Sequence, residues 1–296
     1  MKAESFLLTD ADPVPPDWET LELAPTWADE LNLSSPRGLW RFLRLLTGRR
    51  QPVQLHPSQP WSANIPRYAL QEFHNLPNGN YSYKIAHGYI TGFDIAMLGQ
   101  MQRLRENMAI RVANATAVLE LGCGGGKLAR AVFDQGVSDV WGVDVSPYML
   151  KHAAVQHPQV SFLQAPAEEL PFVDQRFDAL LVCFLFHEMP PKYIAQALRE
   201  AYRVLRPGGQ LLVAEPSVKQ LMPLKLSSLF FRRGWKHLYF KALAARVYEP
   251  FLGVWHRLDK IAAFTEAGFI VKEHTDRLPI NFYALHKPVD NPKGDI

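Results

Sequence analysis

The chain has 296 residues, enough for one large domain or a core domain with a cap, and its 48% hydrophobic against 21% charged residues argue against a disordered protein. Its longest strictly apolar run, ALLVCFLF (179–186), falls well short of the roughly 18 residues that a membrane-spanning helix needs. A formal net charge of +3 is small for a nucleic-acid binder, and no recognition module is evident, so nucleic acid is not expected as a partner.

The opening stretch, MKAESFLLTDADPVPP, lacks the apolar core of a signal peptide, which sets the expectation of a cytoplasmic protein. Two cysteines, Cys123 and Cys183, are too few for a disulfide framework and show no metal-ligand spacing with the ten histidines, so no metal is expected. Residues 1–92, rich in proline and tryptophan, read as an irregular, partly helical cap segment with one clear helix at about 35–47. Phe93, Met97, Met101, Leu104 and Met108 then recur at helical spacing, an apolar stripe that opens the main domain, 93–296.

From residue 117 the pattern alternates. AVLEL (117–121) precedes a helix over 126–134, and VWGVD (140–144) precedes a helix that Ser146 caps and Pro147 opens. VSFLQ (160–164), FDALLVCF (177–184) and QLLVAE (210–215) are further buried strands, with a helix over 191–205 that stops at Pro207-Gly208-Gly209. A helix over 258–269, ended by Gly268, leads to FIVKE (269–273) and INFYALHK (280–287), whose short connection makes the last pair antiparallel. Strands alternating with helices imply an α/β, mostly parallel sheet covered on both faces.

VLELGCGGG (118–126) runs from a strand into four glycines within five positions, where a ligand can press on backbone and on a helix N-terminus. The plain alternative is a tight turn without a ligand. A dinucleotide fingerprint, G-x-G-x-x-G, is broken at Lys127. The loop reads E-x-G-x-G-x-G and resembles the first motif of the class I S-adenosylmethionine-dependent methyltransferases. APAEELPF (165–172), FDALLVCFLFHEMP (177–190) and REAYRVLRPGG (199–209) resemble later motifs of that family, and the character is that of its ubiquinone/menaquinone biosynthesis C-methyltransferase-like group. The resemblance covers about 93–215 strongly and the final strands weakly. It implies a Rossmann-like seven-stranded sheet with the last strand antiparallel and helical cap elements, including an insertion at about 217–257. It also implies S-adenosylmethionine as donor, held by Glu120, Gly122, Cys123, Gly124, Gly126, Asp144, Val145, Ala167, Glu168, Cys183 and Tyr81. Asp144, about 20 residues past the glycines, sits where a carboxylate accepts ribose hydroxyls. Where the family carries an aspartate in the adenine motif this chain has Pro166, so Ala167 or Glu168 takes over that contact.

His187 and Glu188, just past the fourth strand, are the candidate catalytic residues. His187 is the candidate base, because an unperturbed imidazole titrates near neutrality. Capping of a strand or helix end is its alternative role, and Glu188 orients His187 or a backbone group. His74, Tyr81 and Tyr83 lie in the segment that folds over the donor in relatives, with loop anchoring as the alternative. Two acid-free stretches remain: 31–71 with six arginines and 216–248 with four lysines and three arginines, both interleaved with aromatics such as Trp40, Phe42, Trp235 and Tyr239. These are either solvated faces or surfaces for peripheral contact with an anionic membrane. The expectation is methyl transfer to carbon or oxygen of a small, hydrophobic acceptor of quinol, phenol or lipid-like type. The alternative is a donor-binding, non-catalytic sensor or scaffold.

Overall fold

The computed structural model describes residues 12–56, 65–223 and 232–289. Seven strands form one sheet in the order β3-β2-β1-β4-β5-β7-β6. β1 (Ala117–Leu121) lies at its centre and is buried along its whole length, as expected of an apolar strand covered on both faces. It pairs in parallel with β2 (Asp139–Asp144) and with β4 (Phe177–Cys183), and β2 pairs with β3 (Ser161–Gln164). β5 (Leu205–Pro216) continues the parallel set beside β4. β7 (Ile280–His286) then runs antiparallel to both β5 and the edge strand β6 (Ile270–Arg277).

One face of the sheet packs Met108, Leu128, Val132, Leu150 and Phe162 into a core, contributed largely by α3 (Gln100–Arg111), α4 (Lys127–Phe133) and α5 (Pro147–Gln156). The other face packs on the apolar stripe Ile194, Ala197, Leu198, Ala201 and Val204 of α6 (Pro191–Val204), with Phe264 of α9 (Lys260–Glu266) beside it. Ser146 caps α5 as its sequence predicts, accepting from the Met149 amide, and Asp259 does the same for α9.

Three boundaries differ from the sequence expectation. The helix expected to begin at 93 starts ten residues earlier: α2 (Tyr83–Ala96) is capped by Ser82 and runs through position 93. The Phe93–Met108 stripe is split, because Leu98 and Gly99 take positive φ angles of 53° and 68° and end α2 before α3 begins. Met97 and Met101 still meet, together with Phe240, across that corner. α6 stops at Val204 rather than at Pro207, since Leu205 already pairs with Phe177 in the sheet.

The chain before α2 contains α1 (Pro36–Thr47) and two short 3-10 turns, Arg67–Ala69 and Phe73–Asn75. Between β5 and α9 lie the turn Val218–Leu221, α7 (Arg232–Arg246) and α8 (Leu252–Arg257). Leu229, Phe230 and Phe231, part of the second basic aromatic stretch, fall outside the described residues.

Candidate functional site

Parallel strands leave their carboxyl ends open on one edge of the sheet, and β1, β2 and β4 deliver the glycine loop, Asp144 and Cys183 there. The loop is held by backbone bonds, Cys123 N–H to Val143 O at 2.9 Å and Gly126 N–H to Cys123 O at 2.8 Å. Its glycines do different work, although Gly122, Gly124 and Gly126 all have positive φ. A Cβ on Gly122 would lie 2.7 Å from Leu185 and one on Gly126 would lie 2.6 Å from Phe162, so those two are needed for packing. At Gly124 nothing stands within 4 Å, and the position opens into a cleft.

That cleft is lined by Glu120, Gly122, Cys123, Gly124, Asp144, Val145, Ala167, Cys183 and Tyr81, which gathers most of the residues expected around the donor. Gly126 and Glu168 are not part of the lining. Gly126 packs on Phe162 and Ala153, and Glu168 accepts a 2.8 Å hydrogen bond from the Tyr68 hydroxyl, placing Tyr68 in the wall instead. Asp144 accepts from Gly124 N–H at 2.9 Å and from Ser146 N–H at 2.8 Å. Burial pushes its carboxyl above the usual range against the pull of those amides. Glu120 is buried with one bond from Ala129 N–H at 2.8 Å, and burial pushes its carboxyl up to about 8. Burial likewise pushes the Cys123 and Cys183 thiols well up, so neither is a ready nucleophile. Lys127, the residue that breaks the dinucleotide pattern, reaches away from the sheet to Ile90 O at 2.6 Å and to Asp94 at 2.8 Å. Asp94 also binds Arg105 at 2.7 Å, which ties α2, α3 and α4 together beside the loop.

The segment before α2 roofs this cleft through Tyr68, Ala69, Phe73 and Asn80, with Tyr81 only 1% exposed. Asn80 O accepts from the Ser146 hydroxyl at 2.5 Å. Tyr83 does not join: it is 42% exposed and stacks on the His152 ring at 3.8 Å.

A second cavity of about 500 Å³ adjoins the first. Its walls are largely apolar, from Phe42, Ile85, Met97, Phe240, Leu243 and Val247 among others, and one end is polar, with His74, His187, Glu188 and Glu249. Tyr89, Phe93, Phe184 and Glu188 belong to both cavities. His187 is buried, and its Nδ1 lies 2.7 Å from Glu215 Oε2. Glu215 is itself fully buried and accepts from the Leu185 and Phe186 amides at 2.9 and 2.7 Å. Burial pushes the His187 imidazole down, but Glu215 outweighs this and raises it to about 9. Its reading as a base poised near neutrality is thereby corrected, because at neutral pH the ring already holds the proton it would have to take. Nor does its side chain cap a helix or strand end; it pairs with Glu215. Burial also pushes the Glu188 carboxyl up, against His74 and His187.

Glu215 and Glu249 were not singled out in the sequence. Glu215 carries a signal in hindsight, an acid at the carboxyl end of a buried strand, QLLVAE. Glu249 carries none, since it follows a helix whose beginning is 17 residues away, at Arg232.

Residues 118–209 match the family model described as a methyltransferase domain. An uncharacterized methyltransferase of Synechocystis is 33% identical over 134 residues, 44% of this chain and 62% of that protein. A demethylmenaquinone methyltransferase of Paenarthrobacter aurescens is 35% identical over 149 residues, 49% of this chain and 53% of that protein. The chain thus spans between half and two thirds of the length of these relatives. Among solved structures, an S-adenosylmethionine-dependent methyltransferase from Mesorhizobium loti aligns at a TM-score of 0.44 with 19% identity, over 57% of this chain and 90% of that one. The glycine-loop motif, the sheet order and the domain match over 118–209 together bear out the resemblance to the class I S-adenosylmethionine-dependent methyltransferases and to their ubiquinone/menaquinone C-methyltransferase-like group.

Proposed function

We propose that the protein transfers a methyl group from S-adenosylmethionine to carbon or oxygen of a small hydrophobic acceptor of quinol, phenol or lipid-like kind. One observation carries this: the glycine-loop cleft and the apolar chamber share the wall made by Tyr89, Phe93, Phe184 and Glu188. A donor site with no acceptor site would suit a sensor or scaffold. Two sites that share lining residues suit transfer between their occupants.

The residues present fit the donor. Gly124 leaves room for close approach to backbone, Asp144 offers a carboxylate for the ribose hydroxyls, and Val145 and Ala167 offer apolar contact for the base. Glu120 lines the cleft as a buried carboxyl that accepts from the Ala129 amide. When bound, the donor supplies a methyl group already activated on sulfur, so the chain's task is alignment and exclusion of water. Tyr81 and Tyr68 roof the cleft, and Phe93 and Phe184, edge to face at 5.8 Å, stand in the wall shared with the chamber. His74, His187, Glu188 and Glu249 form the polar end that receives the acceptor's oxygen. Burial pushes the Glu249 carboxyl up, but His74 and His187 more than offset this and hold it below the usual range. Glu249 is therefore an ionised group that faces the chamber and can orient a hydroxyl by accepting its hydrogen bond.

The chamber's apolar walls suit a lipid-soluble acceptor, and a demethylmenaquinone methyltransferase is among the relatives. Both basic aromatic helices contribute to those walls, α1 through Phe42 and α7 through Phe240, Leu243 and Ala244. Each also carries exposed apolar groups, Trp40 and Leu43 on α1 and Trp235 and Leu238 on α7. Peripheral binding to an anionic membrane by these helices would place the chamber next to its acceptor.

Calorimetric titration tests the donor half. S-adenosylmethionine is expected to bind at one site, and Asp144→Ala to weaken it about 100-fold, the effect of losing two hydrogen bonds to a charged group. Unchanged affinity in Asp144→Ala would remove the ribose assignment.

A further inference from the structure

His74, His187 and Glu249 come from three separate parts of the chain. The 3-10 turn Phe73–Asn75 precedes α2, the 3-10 turn Phe186–Glu188 follows β4, and Glu249 lies in the link between α7 and α8. One ligand-capable atom from each lies within 4.8 Å of the other two. His74 Nε2 is 3.5 Å from Glu249 Oε1 and 3.3 Å from Glu188 Oε1, and His187 Nε2 is 3.9 Å from the same Glu249 oxygen. Ligands at about 2.0–2.1 Å around a tetrahedral zinc ion are separated by roughly 3.3 Å, so these gaps are near those of a coordination shell.

The surroundings hold the cluster in that form. His187 directs Nε2 into the cluster because its Nδ1 is committed to Glu215 at 2.7 Å, and Glu215 is fixed by the amides of Leu185 and Phe186; a bound ion takes the place of the Nε2 proton, which leaves to solvent. A carboxylate behind the far nitrogen of a histidine is the arrangement that orients metal-ligating imidazoles. His74 sits at φ 56° and ψ 20°, a left-handed conformation that costs a non-glycine residue energy and persists only where the surroundings impose it. They do so here through His74 N–H to Tyr248 O at 3.0 Å and Asn75 Nδ2 to Arg246 O at 2.7 Å, which pin the turn to the segment that carries Glu249. The His74 ring stacks on Tyr89 at 4.9 Å, and its Nδ1 is buried without a hydrogen-bond partner. Its Nε2 faces the two carboxylates of the cluster.

We propose that His74, His187 and Glu249 bind a divalent transition-metal ion of the zinc class at the polar end of the apolar chamber, with Glu188 within reach as a fourth ligand. Two imidazoles with one or two carboxylates match the preference of zinc and its first-row neighbours, and the carboxylates offset the ion's charge. Glu215 is the positioning residue behind His187. The site rests on this cluster alone, whereas its role rests on the methyl-transfer reading: the ion would hold an acceptor's oxygen as the anion, its proton passing to solvent, beside the wall shared with the donor cleft.

The test uses the full-length protein stripped with a chelator and titrated with zinc chloride, with metal content then measured by mass spectrometry. About one tightly bound zinc per chain is expected. His74→Ala and Glu249→Gln should abolish stoichiometric binding, and Glu215→Gln should weaken it roughly 10- to 100-fold. Asp144→Ala should keep the ion while losing S-adenosylmethionine, so failure of the metal site and failure of the donor site register in different titrations. Cobalt(II) added to the unmutated protein should give the visible absorption of a low-coordinate site, a readout that survives any variant that does not fold. Absence of stoichiometric zinc in the unmutated chain, wild-type affinity in Glu249→Gln, or a cobalt spectrum like that of the hydrated ion would each overturn the proposal.

Discussion

Glu120 is a buried carboxyl with a single hydrogen bond, from the Ala129 amide, and burial raises it from 4.5 to about 8. A carboxyl whose folded value lies above its unfolded one favours the protonated state. Its cost to stability is therefore absent below about 4.5, grows as pH rises and is complete above about 8, where it is on the order of 4–5 kcal/mol. Glu120→Gln keeps an oxygen for the Ala129 amide and removes that cost. In thermal unfolding without donor, the variant's advantage over the parent should grow from a pH of about 6 to about 9. An advantage that stays constant would place the carboxyl's titration elsewhere. At this scale the sequence was informative where chemistry is local. Ser146 lies next to the helix it caps, and Asp144 ends the strand beside the glycine loop, where it accepts from the Gly124 amide. The polar end of the chamber was half visible. His187 and Glu188 follow a strand, but Glu249 and His74 join them only through the path of the cap, with 62 and 113 positions between them and His187. No spacing rule reaches that far.

The glycine loop works as an element because two kinds of glycine alternate in it. Alanine at Gly126 would meet Phe162 at 2.6 Å in a positive-φ conformation, and should cost about 2–4 kcal/mol through strain and overpacking together. Alanine at Gly124 meets nothing within 4 Å and should cost only about 1 kcal/mol for its φ of 50°, yet it fills the space in the cleft proposed for the donor. Chemical denaturation and donor titration should therefore rank the two oppositely: Gly126→Ala the less stable, Gly124→Ala the weaker binder relative to its stability loss. Equal losses in both measurements would mean the loop is packing alone. The strands of this element set were legible to within a residue or two at most ends, because burial on both faces makes them continuous apolar runs. The helix boundaries were less so. α2 begins ten residues before the apolar stripe that marked it, since Ser82 caps it, and the Leu98-Gly99 corner divides a stripe that reads as unbroken helix.

On the scale of the whole molecule, the mostly parallel seven-stranded sheet and its antiparallel last strand followed from the alternation of strands and helices together with the motif resemblance. The way the two cap segments meet did not, because composition says that 1–92 and 217–257 are aromatic and basic without saying that they enclose one chamber. Trp40 at 64% exposure and Trp235 at 47% sit on the two helices that wall it. The protein should co-sediment with anionic liposomes at low salt, less so at high salt, and Trp40→Glu with Trp235→Glu should reduce binding at least tenfold. Sedimentation unaffected by both changes would leave those helices as solvated surface.

Methyl transfer requires the donor cleft and the apolar chamber to act together. Purified protein incubated with deuterium-methyl S-adenosylmethionine and cell extract, followed by mass spectrometry of separate lipid and polar fractions, tests it most directly. A labelled product is expected in the lipid fraction, and it should disappear in Asp144→Ala. Label confined to the polar fraction would contradict the hydrophobic acceptor, and no labelled product in either fraction, with donor binding intact, would contradict methyl transfer itself.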